Sequence, residues 1–158
     1  MKIFFNLLFL LWASLSQAYQ PQTGFDKQAF YNAMSSGSLE EVNSMLASVK
    51  ASALDEKEAY EGALLMKKAG LVSKAKEKLS LFKSGRTKLE AAIKKDNNNT
   101  EFVFLRLIIQ EHAPKAVKYH SNIDSDSELI RNNYKNLPPV VQKAIHAYSK
   151  NSKVLKSL

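Results

Sequence analysis

The sequence contains no cysteine. That excludes disulfides, a thiol nucleophile, every cysteine-ligated metal site and a lipid-anchor box at a leader cleavage point. Glycine and proline are scarce, five and four in 158 residues, and they fall where helices should end. No run alternates apolar with polar residues, and Val, Ile and Thr are few outside stripes of helical period. After residue 18 no apolar stretch reaches the roughly 20 residues needed to cross a membrane; the longest, residues 102–109, is interrupted by Arg106. Motifs of chemistry are missing as well. There is no Gly-x-Ser-x-Gly elbow, no Gly-rich phosphate loop, no dinucleotide fingerprint and no His-Glu-x-x-His. The expectation is a chain that is not an enzyme and takes no cofactor and no metal.

What is present begins with a leader. Lys2 is the sole charge among the first eighteen residues. An apolar run from Ile3 to Leu15 follows, interrupted only by Asn6 and Ser14, and then Ser16-Gln17-Ala18 places small residues at positions −3 and −1. This is the pattern of a signal peptide cleaved before Tyr19, and the run is short for an uncleaved anchor. Residues 1–18 are therefore expected to be removed, and residues 19–158 to form a single all-helical domain that is exported, periplasmic or extracellular. Removing eighteen of the 158 residues leaves 140, enough to bury a core without staples. An exported helical chain without cysteine suits a bacterial envelope better than an oxidising animal secretory route.

Charge is abundant but uneven. Without Lys2, 22 basic residues face 15 acidic ones, a net +7. Residues 40–61 carry Glu40, Glu41, Asp55, Glu56, Glu58 and Glu61 against Lys50 and Lys57. Residues 67–95 carry Lys67, Lys68, Lys74, Lys76, Lys78, Lys83, Arg86, Lys88, Lys94 and Lys95 against Glu77 and Glu90. From Arg131 onward there is no acid at all. Acidic and basic elements could neutralise one another inside the fold, or a basic face could remain for an anionic partner.

Apolar spacing predicts five to six helices in antiparallel hairpins. Phe25, Ala29, Phe30, Ala33 and Met34 lie at helical intervals, and Ser35-Ser36-Gly37 ends that stretch. Ser38 and Glu41 form a capping box before the stripe Leu39, Val42, Met45, Leu46 and Val49. The next helix spans 55–69, with small residues at 59, 62 and 63 that admit a close neighbour and with Gly70 as a left-handed cap. Ser73 caps the following helix, whose stripe includes Leu79, Phe82, Leu89 and Ile93 and which Ser84-Gly85 could kink or divide. Asp96-Asn97-Asn98-Asn99-Thr100 is a polar turn in which Thr100 caps a helix from Glu101 to Glu111. That helix is apolar nearly all round, the mark of a central buried element. Pro114 ends it. Asp124-Ser125-Asp126-Ser127-Glu128 opens another helix by capping, and Pro139 starts the last.

The segment Lys88-Leu89-Glu90-Ala91-Ala92-Ile93-Lys94-Lys95-Asp96-Asn97-Asn98-Asn99-Thr100-Glu101-Phe102 resembles the junction between tetratricopeptide repeats. There one helix ends in an acidic-Pro-Asn-Asn turn and the next begins with an acidic residue; Asn97 stands where the repeat has proline. The resemblance implies stacked helical hairpins forming an array, with an irregular bundle as the other possibility. Such an array offers a groove for peptides or partner proteins. The stretch from Leu89 to Leu155, with Phe104-Leu105-Arg106-Leu107-Ile108-Ile109-Gln110 and Ile145-His146-Ala147-Tyr148, also resembles exported proteins of unknown function from Bacteroidetes-type bacteria, which implies a compartment and no activity.

Two groups of residues are candidate binding groups. Arg106 lies in the middle of the most apolar helix, with Gln110 one turn on. A buried charge must be paired or reach water. Either Arg106 forms an ion pair with an acid such as Glu61 or Glu90, or it binds an anion in a pocket. The second group is the lysine-rich segment, with Lys67, Lys68, Lys74, Lys78 and Arg86. Only three of the 23 cations are arginine, whereas base reading and bidentate phosphate grip favour arginine, so a nucleic acid is not the expected partner. His112, His120 and His146 have no metal-ligand spacing. Asp124 to Glu128 imitates the start of a calcium loop, but Leu129 occupies the glycine position and Lys135 the glutamate position. The function expected is a non-catalytic protein-interaction or scaffold module of the envelope with a protein or peptide partner. The alternative is an electrostatic binder of an anionic envelope polymer.

Overall fold

The computed structural model describes residues 25–156, so the leader and its cleavage point lie outside the described residues. Those residues form seven α-helices: α1 (Lys27–Ser35), α2 (Leu39–Ala51), α3 (Lys57–Leu71), α4 (Ala75–Lys95), α5 (Thr100–His112), α6 (Ile123–Asn133) and α7 (Pro139–Ser149). Single 3₁₀ turns at Lys115–Val117 and Tyr134–Asn136 flank α6. No strand occurs among the described residues, so the class is all-α. Seven helices stand where five to six were expected. Among the described residues no helix is long and apolar enough to cross a membrane.

The core is built on α5. Phe102, Val103, Phe104, Leu105, Leu107 and Ile109 are all buried, as expected of a helix apolar around its circumference. It packs against α3, α4 and α6. An aromatic cluster joins the N-terminal helices to it: the Phe30 and Tyr60 rings meet edge to face at 5.0 Å, and Tyr60 meets Phe102 at 6.0 Å. Fully burying one such side chain contributes about 1.5–3 kcal/mol. The first and last helices, α1 and α7, also touch, which closes the helices on one another. The tail after α7 is pinned down. Glu111 accepts hydrogen bonds from the Tyr148 hydroxyl, the Ser152 hydroxyl and the Lys153 amide, while Arg131 donates to the Val154 and Lys156 carbonyls and Leu155 is fully buried.

The most extensive helix pair is α3 against α4. Its closeness comes from two glycines. A Cβ on Gly62 would lie 2.7 Å from the Gly85 carbonyl oxygen, and one on Gly85 would lie 2.5 Å from that of Gly62. The two backbones therefore meet with no room for a methyl group. The small residues at 59, 62 and 63 do admit a close neighbour; Gly85 is its counterpart, and it neither kinks nor divides α4, which runs unbroken for 21 residues.

Several caps differ from expectation. Gly70 is inside α3 and has no positive φ; the helix ends at Val72 in an extended conformation, which needs no glycine. Lys74, not Ser73, precedes α4, and it makes no side-chain cap. Asn99 rather than Thr100 caps α5, accepting from the Phe102 amide at 3.2 Å. Ser38 caps α2 by accepting from the Glu41 amide, but the other half of the box is replaced, because the Ser38 amide donates to the Ser36 hydroxyl. At α6, Asn122 holds the cap position but its side chain does not cap the helix, and Asp126 turns inward. At α5 and α2 a short polar neighbour one or two residues away meets the free amide instead.

Candidate functional site

The two groups singled out by sequence are separate in the structure and differ in kind. Arg106 projects from α5 towards α6 and α4. Its Nε and Nη2 donate to the two carboxylate oxygens of Asp126 at 2.8 and 2.7 Å, and Nη1 donates to Glu90 at 3.1 Å. Glu90 also accepts from the Tyr119 hydroxyl at 2.6 Å. Side-chain exposure is 11% for Arg106 and 4% for Asp126. Burial works against the charge on Arg106, but the bonds and charges of Asp126 and Glu90 outweigh it and hold its pKa above the ordinary arginine value. Burial pushes Asp126 up from the usual carboxylate range against the pull of that guanidinium. All three nitrogens of Arg106 therefore face internal carboxylates, which is the ion-pair alternative. Glu90 was among the acids expected; Glu61 instead pairs with Lys88 and Lys50. Asp126 was missed because an Asp-Ser-Asp-Ser run at a helix start reads as capping. Gln110 is fully buried. Its Nε2 lies 3.4 Å from Asn122 and its Oε1 has no hydrogen-bond partner, so it faces no open site.

The lysine-rich segment is open. Of its ten cations only Lys88 is drawn into an ion pair, with Glu58 at 2.6 Å and Glu61 at 3.3 Å. Lys67, Lys68, Lys74, Lys76, Lys78, Lys83, Arg86, Lys94 and Lys95 pair with no acid among the described residues. Glu90, one of the two acids in the segment, is bound to Arg106. The acidic elements of residues 40–61 thus neutralise one lysine of the segment and leave the rest.

These cations do not all share one face. Helical spacing puts Lys76, Leu79, Lys83 and Arg86 on one stripe of α4, at intervals of three, four and three residues. Lys74 and Lys78 lie on the other side of the same helix, and Lys67 and Lys68 are half-buried on α3. Burial lowers the pKa of Lys67. Arg86 lies over the Tyr119 ring at 4.7 Å, which fixes it against the surface, and Phe82 packs edge to face on the same ring at 5.8 Å. The stripe ends in the first two turns of α4, where residues 75–80 are all exposed and Leu79 shows 49% of its surface. Sequence reasoning placed Leu79 in the core stripe. The structure puts it in solvent among lysines.

A second feature had no counterpart in the sequence reading. A cleft of about 530 Å³ is lined by Lys27, Glu56, Asn98, Asn99, Thr100, Glu101, Leu129, Asn133, Asn136, Leu137 and Pro138. Glu101, buried at the first turn of α5, accepts from Lys27 Nζ at 2.6 Å and from the Tyr31 hydroxyl at 3.0 Å. Burial, and then the charge of Glu101, hold the phenols of Tyr31 and Tyr60 well above their ordinary value. Among the described residues no group of three or more His, Asp or Glu is arranged to hold a metal ion. His112 and His120 each bond a backbone carbonyl, of Ile108 and Ala113. Comparison with protein-family models, with curated proteins and with solved structures returned no match.

Proposed function

We propose that the chain is an exported, non-catalytic binding module that holds an anionic polymer of the cell envelope on the lysine-rich face of α4. The observation that carries this reading is the set of unpaired cations Lys76, Lys83 and Arg86 on one stripe of α4. The stripe spans about 15 Å at 1.5 Å per residue, a length that suits a chain of repeated charges better than a single small anion. Lysines present point charges, which suit diffuse attraction rather than the fixed fork of arginine. Export rests on the leader pattern of residues 1–18.

The test is a titration of the purified protein with an anionic polysaccharide at low and high salt, beside the triple variant K76Q/K83Q/R86Q. Affinity is expected to fall steeply as salt rises and to drop at least about tenfold in the variant, or 1.4 kcal/mol. Equal binding by the variant, or binding insensitive to salt, would sink the reading.

A protein or peptide partner is the second reading, and Leu79 favours it. An apolar side chain 49% exposed, with Lys76 and Lys83 on its own stripe, can anchor an acidic partner by packing as well as by charge. The resemblance of the Lys88–Phe102 junction to tetratricopeptide repeats points the same way. Recovery of a defined protein from envelope extract that stays bound at high salt would prefer this reading.

A further inference from the structure

The cleft at the start of α5 offers chemistry opposite to that of α4. Its charged lining residues are Lys27, Glu56 and Glu101, one cation against two acids, so it does not suit a polyanion. Lys27 is already bound to Glu101, whereas Glu56 makes no ion pair among the described residues. Four carboxamides converge on the cleft. Asn99 is occupied on both sides, by the Phe102 amide and by Asp96. Asn133 uses its Nδ2 on the Thr100 hydroxyl at 3.0 Å and keeps its carbonyl oxygen open. The side chains of Asn98 and Asn136 have no hydrogen-bond partner among the described residues, and both are exposed at the rim. Leu129, Leu137 and Pro138 supply an apolar wall.

A carboxamide carries one donor group and one acceptor, the same pair that a peptide group presents. Two open carboxamides and a third carbonyl lining one cleft can therefore pair with the peptide groups of an extended chain. The apolar wall can take one of its side chains, and unpaired Glu56 can take a cation. No aromatic ring lines the cleft to stack on a sugar. We infer that this cleft binds a short extended peptide segment bearing a basic residue, held by Asn98, Asn133 and Asn136 with Glu56 as the charge partner.

The experiment is a nuclear magnetic resonance titration of the purified protein with a pool of acetylated, amidated tetrapeptides. Each carries either one lysine or one glutamate at a varied position. The expected result is a saturable shift of the Asn98, Asn133 and Asn136 side-chain amides with the lysine peptides and a weaker one with the glutamate peptides. N98A and N136A should each weaken binding about tenfold while melting as the parent does, since both residues are exposed. E56Q should lower affinity for the lysine peptides by about threefold to fivefold, the range of a partly exposed ion pair, and leave that for the glutamate peptides unchanged or raised. The inference is overturned if no peptide gives a saturable shift at these amides. It is equally overturned if the asparagine variants bind as the parent does, or if simple sugars shift the same amides and peptides do not.

Discussion

The two halves of α4 have the same residue types and opposite environments. Its second half carries Gly85, Leu89 and Ile93 against α3 and the core, and all three are buried. Glu90 there is tied to Arg106 and Tyr119. Its first two turns, residues 75–80, are exposed at every position. Leu79 and Leu89 make the contrast sharpest: they belong to one helix, ten residues apart, and are 49% and 0% exposed. Among the lysines only Lys88, in the second half, lies against the α3 carboxylates; Lys76 and Lys83 before it and Lys94 and Lys95 after it face none among the described residues. An amphipathic pattern states which side of a helix should be covered. It does not state how far along the helix the cover extends.

The comparison breaks most severely at the far end of the Glu90 tie. D126A removes the bidentate partner of Arg106 and leaves that buried guanidinium facing Glu90 alone. Removing one partner of a buried ion pair costs about 3–5 kcal/mol, a large share of the roughly 5–15 kcal/mol that holds a domain together. A urea titration should show the midpoint falling sharply. Hydrogen exchange should show lost protection at residues 85–93 and little change at 75–80, where there is little protection to lose.

A smaller effect is expected at the crossing of α3 and α4. In G85A the new Cβ would meet the Gly62 carbonyl oxygen at 2.5 Å and Met66 Cγ at 2.8 Å. Overpacking of this kind costs about 1–3 kcal/mol, against a gain of up to about 1 kcal/mol from replacing a helical glycine. The net change is a loss. G70A is the control, because its Cβ would meet nothing within 4 Å and its backbone is already helical, so it should gain up to about 1 kcal/mol. Opposite shifts in thermal midpoint for these two glycine substitutions would establish that close approach, not backbone freedom, governs Gly85.

Much of this was legible in residue order. The helical class, the central position of α5, the close approach at Gly62 and the need of Arg106 for a partner follow from spacing, from an apolar circumference and from the cost of a lone buried charge. The rest was decided by competition between equivalent neighbours or by distant contacts. Asn99 and Thr100 could each cap α5; Asn99 does so, while the Thr100 hydroxyl accepts from Asn133, 33 residues away. Asp126 had the look of a capping residue until α6 was laid beside Arg106. The Asn98–Asn136 cleft joins two turns 38 positions apart, and no local pattern reports such a meeting. Whether the basic segment would be neutralised also depended on tertiary register. The α3 acids meet α4 at Lys88, past the crossing at Gly85, and so do not reach its first turns.

The smallest expected effect is the most informative about function. L79S changes an exposed side chain with few neighbours, so stability should move by no more than about 0.5 kcal/mol. The same class of change at Leu89, as L89A, should cost about 2–5 kcal/mol by leaving a cavity in the core. Thermal melts of the two variants therefore measure the division of α4 directly. Because L79S leaves the fold and every lysine in place, its binding behaviour separates the two kinds of partner. A polyanion held by charge alone should bind L79S as tightly as the parent and with the same salt dependence. An acidic protein that packs on Leu79 should bind it more weakly, and the loss should persist at high salt, where the contribution of the lysines has been screened away.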